Sequence, residues 1–247
     1  MTERARRGRR SDELPAPLPP ETRTVGQLVA ETIRLYGQRF WRVLPLGVGI
    51  AALDETAFGH NLNVATLLLW GFAPLLTLCF VAASAIAADV RPTVRSTVAA
   101  FAVGLVVFVP FPILFRAFVL PALALFAFCG LSVPAAVIER LSPRAALRRG
   151  VQLGKADYVH ALGSLCTLAI VYFLSRTVLM LLLRGQGDAT ERIAGFLADL
   201  VLSPIIFLGA ALLYYDQAAR VRSSKRDDAL PRGKPAPPGP VRHPSSR

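Results

Sequence analysis

Apolar residues in this chain gather into long uncharged runs, the pattern of segments buried on all sides rather than of elements with one wet face. The run from Val64 to Ala88 holds 25 residues without a charge. A bilayer hydrocarbon core of about 30 Å is crossed by about 20 helical residues, so this run predicts a transmembrane helix over 64–88. Residues 161–183 and 193–215 predict two more, each carrying a single charge, Arg176 and Asp199. Val98 to Val137 contains one charge, Arg116, in 40 residues. As one helix it would reach about 60 Å, twice the core, so it must fold back. Arg116 near its middle, among Pro110, Pro112 and Pro121, marks the turn. Two crossings, 98–115 and 117–137, are expected, the alternative being a pair of re-entrant half-helices. The first crossing is placed at 40–58. Its clean apolar stretch, Val43 to Leu53, covers only about 17 Å, which sets Asp54 and Glu55 near the far interface.

Two segments between the runs have a mixed pattern. Thr24 and Gln27 have capping-box spacing, with Val25, Leu28, Val29, Thr32 and Tyr36 on one helical face and Glu31 and Arg34 on the other. This predicts a helix lying at the membrane surface, followed by Arg39, Trp41 and Arg42 at headgroup level. Ser142 stands where an N-cap would, with Pro143 at the first helical position. Behind them Ala146, Leu147, Gly150, Val151 and Gly154 oppose Arg144, Arg148, Arg149 and Lys155, which predicts a second interfacial helix. The expected fold is all-α: a polytopic integral membrane bundle of about six transmembrane helices with amphipathic interfacial helices, over residues 23–221. Residues 1–22 and 222–247 are basic and Pro-rich, lack the apolar surface that would offset ordering, and are expected to be disordered tails.

Composition agrees: 53% of the 247 residues are hydrophobic and the mean hydropathy is +0.48, above an ordinary soluble chain. The net charge of +12 changes the picture only through its distribution. Of 28 Lys and Arg, nine lie at or before Arg42, two in 89–97, five in 138–160 and eight after residue 216, which is 24; Arg116, Arg176, Arg184 and Arg192 make up the rest. The positive-inside rule then places both termini in the cytoplasm, and an even number of crossings agrees. Cytoplasmic basic loops explain the charge without nucleic acid, for which no motif is present. Cys79, Cys129 and Cys166 all lie in apolar runs, so neither a disulfide framework nor a zinc site is expected. The arginine-rich start is followed by the polar, Pro-containing Ser11 to Thr24 rather than an apolar segment, so no cleaved secretory signal is expected.

The segments ETIRLYGQRFWRVL, VIERLSPRAALRRGVQLGK and ALLYYDQAAR resemble those of an uncharacterised prokaryotic membrane-protein family related to the membrane domain of glycerophosphoryl diester phosphodiesterases, over about residues 24–222. The resemblance is carried by Glu139, Leu141, Ser142, Pro143, Ala146 and Leu147, and by Tyr214, Tyr215 and Asp216, which are expected to anchor the sixth helix among headgroups at the inner interface. It implies a multi-pass prokaryotic inner-membrane protein. It implies no esterase activity, because hydrolysis in the fused proteins belongs to a separate metal-binding barrel for which this chain has no room.

Candidate chemistry is sparse. Arg176 lies 16 residues after His160 and Asp199 lies 16 before Tyr215, so on antiparallel helices both sit about 24 Å from the inner surface. At one depth they can pair, which offsets the cost of either charge in lipid. They mark a substrate or ion site, or more plainly a structural ion pair or two side chains snorkelling outward. Ser175 and Ser203 near them suggest a polar interior. Asp54, Glu55 and His60 form an acidic outer cluster without a defined coordination geometry. Arg39, Arg42, Arg144, Arg148 and Arg149 are candidate contacts for anionic phospholipid heads. No Walker loop, HExxH, GxSxG or CxxC pattern is present. The sequence reads as a non-enzymatic membrane module, without cofactor or metal, that binds lipid or an envelope partner. The alternative is a transporter or channel with a polar site near Arg176 and Asp199.

Overall fold

The computed structural model describes residues 20–185 and 187–229, and every regular element among them is helical. The elements are α1 (Val25–Gln38), α2 (Phe40–Val43), a 3-10 turn (Leu44–Gly47), α3 (Val48–Ala57), α4 (Leu62–Ala88), α5 (Val94–Phe108), α6 (Phe111–Ala117), α7 (Val119–Cys129), α8 (Ser132–Ile138), α9 (Pro143–Ala156), α10 (Tyr158–Leu182), α11 (Asp188–Leu202) and α12 (Pro204–Ala229). Among the described residues five stretches are long and apolar enough to cross a membrane: Leu62–Ala88, Val94–Ala117, Val119–Ile138, Tyr158–Leu182 and Ala189–Ser224. The chain is an all-α membrane bundle.

The bundle has two chemically distinct ends. At the basic end Arg39 meets Asp89 and Arg220 meets Asp157. At the far end lie the start of α4, the α6–α7 turn and the α10–α11 connection. The long apolar stretch 98–137 folds back: α8 packs along α5 and α7 along α6. The turn is the single extended residue Phe118 (φ −171°, ψ 148°). Arg116, just before it, donates from Nη1 to Asn63 Oδ1 at 2.5 Å, which sets the turn level with the head of α4.

The 40–58 segment is not one continuous α-helix. Pro45 lacks an N–H and sits in a 3-10 turn that joins α2 to α3. Because a 3-10 residue rises about 2.0 Å against 1.5 Å, the 18 residues of α2, the turn and α3 reach about 29 Å. They run from the basic end, where Arg39 begins them, to Asp54 beside α10 and α11. A similar break separates α11 from α12 at Ser203–Pro204, where Pro204 leaves the Leu200 carbonyl without its helical donor. Gly47 presses on that carbonyl so closely that a Cβ would lie 2.0 Å from the Leu200 oxygen. The neighbouring Val201 carbonyl accepts the Tyr36 hydroxyl at 2.9 Å, and burial raises that phenol above its ordinary pKa, so it remains a donor.

Three further expectations are corrected. Helix α1 carries the expected capping box but is more than a surface helix: Leu28 and Thr32 are fully buried where it lies across α10 and α12. Ser142 takes the extended N-cap conformation and Pro143 opens α9, yet the Ser142 side chain makes no cap bond; its carbonyl accepts from Ala146 N at 2.8 Å. The 222–247 segment is not wholly irregular, because α12 continues to Ala229, there being neither Gly nor Pro between Gly209 and Pro231. Of the expected 1–22 tail, Pro20–Thr22 form a 3-10 turn packed on α12; disorder expected over 1–19 and 230–247 lies outside the described residues.

Candidate functional site

Helix α10 places Tyr172 and Arg176 four residues apart, on one face. Arg176 Nε donates to Asp199 Oδ1 at 2.8 Å, and the Tyr172 hydroxyl donates to the same oxygen at 2.6 Å. Arg176 Nη2 also donates to Asp54 Oδ2 in the last turn of α3. The structure therefore brings together the two charges that the sequence set at one depth, and adds a second carboxylate and a phenol. Asp199 is fully buried; its Oδ2 has no hydrogen-bond partner, nor has the Oγ of buried Ser203 one turn on. Ser175 faces outward and contributes nothing to this interior.

Asp54 and Glu55 do not form a free acidic cluster. Arg176 takes Asp54, and Arg192 of α11 takes Glu55 while its guanidinium lies 5.2 Å from the Phe58 ring centroid. His60 is exposed, its Nδ1 3.1 Å from the Phe58 carbonyl oxygen. Among the described residues no three His, Cys, Asp or Glu side chains form a group able to hold a metal ion.

At the basic end the family-like residues are structural joints. Glu139, at the end of α8, accepts from Arg149 Nε of α9 at 2.9 Å and from the Tyr214 hydroxyl of α12 at 2.5 Å. Asp216 is fully buried, accepts from Arg23 Nη1 at 3.0 Å, and lies 3.7 Å from His160 Nε2. Tyr214 and Asp216 thus point into the bundle, whereas the sequence reading had them anchoring the sixth helix among headgroups; only Tyr215 is half-buried. Ala146 is buried under α9 and Leu147 is half-buried at its edge. Helix α9 is seated by close backbone approach: a Cβ on Gly150 would lie 2.0 Å from Ser132 Oγ and 2.5 Å from Ser132 N.

The candidate headgroup cations divide accordingly. Arg149 is committed to Glu139, and Arg39 donates to the Ile86 carbonyl at 2.7 Å and to Asp89 at 2.9 Å, closing the end of α4. Arg42, Arg144 and Arg148 remain exposed.

A cavity of about 340 Å³ lies between α3, α4, α6, α7, α10 and α12, with Phe108 at the end of α5 also on its wall. Its wall is almost entirely apolar, including Leu69, Phe111, Leu123, Phe126 and Leu165. The charged side chains on it are Asp54 and Arg116, toward the far end, and Tyr172 joins it to the ion-pair cluster. It runs along α4 from Leu62 to Leu76, about 21 Å by helical rise. Sequence patterning gave no sign of this cavity.

No family model, curated protein or solved structure matches this chain.

Proposed function

We propose that this chain is a non-enzymatic membrane module that binds lipid, holding an acyl chain in the cavity between α4, α7 and α10. The observation that carries this reading is the cavity itself: it is elongated and apolar, within the size range of small-ligand sites, and inside a bundle whose surroundings are already hydrocarbon. A transporter or channel for a polar solute needs a hydrated path to Arg176 and Asp199. The apolar wall leading to Tyr172 favours lipid over such a solute.

In this reading the 40–57 segment is a sixth crossing, lengthened by its 3-10 turn, and both termini lie at the cytoplasmic face of a prokaryotic inner membrane. The charge distribution supports that orientation, and Arg42, Arg144 and Arg148 then face anionic headgroups there. The resemblance to the family related to the glycerophosphoryl diester phosphodiesterase membrane domain is part of the same proposal. A reporter active only in the cytoplasm is expected to signal when fused after Arg247 and to be silent when inserted at Gly185. The reverse result would overturn the orientation.

Lipid binding is tested by narrowing the cavity. Leu69→Trp and, one turn away, Ala65→Phe are each expected to lower severalfold the lipid retained by the purified full chain in native mass spectrometry. Circular dichroism and gel filtration check that the fold is kept. Retention equal to wild type in both folded variants would sink the reading.

A further inference from the structure

Resting on that reading, we infer that the bound lipid carries a phosphate head and that Arg116 receives it. A chain entering the cavity leaves other chains behind, so it gains little from the hydrophobic effect; lipid tails are as apolar as the wall. Shape can select a chain, but preference among lipids with the same chains must come from the head. The cavity offers the head one strongly charged, uncommitted group.

That group is identified by the ion pairs at the far end. Asp54 is taken by Arg176 and Glu55 by Arg192. Arg116 lines the cavity, is exposed, and donates to the neutral Asn63 amide oxygen; it forms no ion pair among the described residues. Its position also suits a head. It stands two residues before the Phe118 turn, level with the start of α4, while the cavity extends about 21 Å from there along α4 toward Leu76. A cation at one end of a long apolar slot matches a phosphate joined to an acyl chain. The guanidinium can meet phosphate oxygens with two parallel N–H donors, which an ammonium cannot reproduce.

The test compares phosphatidylglycerol with diacylglycerol of the same chains, each supplied in mixed micelles to the full chain and read as retained lipid by native mass spectrometry. Wild type is expected to favour the phosphate lipid roughly fivefold, the factor for one basic side chain near a headgroup. Arg116→Gln should bring the two lipids to parity, and Arg116→Lys should restore part of the preference. Glycerol 3-phosphate, which has the phosphate without the chain, should not displace the lipid; displacement would overturn the requirement for a chain. An unchanged preference in folded Arg116→Gln would overturn the role of Arg116. If wild type retains both lipids equally, the phosphate inference fails and lipid binding survives; if it retains neither, lipid binding itself fails.

Discussion

Gly150→Ala is expected to destabilise the bundle by about 3 kcal/mol, the upper part of the range for overpacking, while Gly71→Ala raises stability by up to about 1 kcal/mol through helix propensity. Both glycines lie inside helices, so the same added methyl acts on the same backbone conformation. They differ in what it meets. At Gly71 nothing lies within 4 Å of the new Cβ. At Gly150 the Cβ would lie 2.0 Å from Ser132 Oγ, 2.5 Å from Ser132 N and 2.7 Å from Ser132 Cα. A hydroxyl can rotate away, but a backbone nitrogen and Cα move only if α8 moves. Helix α9 must then lift from the bundle, and the Glu139–Arg149–Tyr214 joint opens with it. Unfolding with denaturing detergent from mixed micelles measures both variants. A Gly150→Ala protein as stable as Gly71→Ala would mean that α9 does not pack on Ser132.

How far the sequence could be read depended on whether a feature is set by distance along the chain or by rotation about a helix axis. The run 64–88 lies inside α4, which starts slightly earlier because the Asn61 side chain accepts from Val64 N at 3.0 Å and caps it. The return of 98–137 was legible because 40 apolar residues exceed the membrane, and the lone charge among three prolines sits beside the turn. The levels of Arg176 and Asp199 followed from counting residues along two helices. Asp54 as the second partner of Arg176 did not, because it comes from a third helix whose rotation no periodicity reports when nearly every position is apolar.

The same limit applies to Tyr214 and Asp216. Their place near the end of a helix suggested headgroup anchors, but their azimuth turns them toward Glu139 and Arg23. Pro45 was visible in the sequence, yet the extra rise of the 3-10 turn around it appears only when the turn is formed. The cavity is harder still to foresee. It is space left where small side chains such as Ala57, Ala65, Ala169 and Ala210 meet larger ones, and a void between seven helices has no local signature.

Arg176→Met is expected to destabilise the protein by about 4 kcal/mol and Asp199→Leu by about 3 kcal/mol, within the range for removing one member of a buried ion pair. The order follows from what each variant leaves behind. Without Arg176, the Asp199 carboxylate stays fully buried with one donor, the Tyr172 hydroxyl, and cannot reach water. Without Asp199, Arg176 keeps Asp54 and is itself partly exposed, so its long side chain can shift toward the far interface. The double variant removes both charges from the interior and leaves Asp54, about half exposed, free to turn outward. Its loss should therefore fall well short of the sum of the single losses, by a coupling energy of about 2 kcal/mol. Unfolding from mixed micelles gives all four corners of this cycle. Additive losses would show that the two charges do not depend on each other, and a greater loss for Asp199→Leu than for Arg176→Met would show that the arginine, rather than the aspartate, is the charge trapped in the interior.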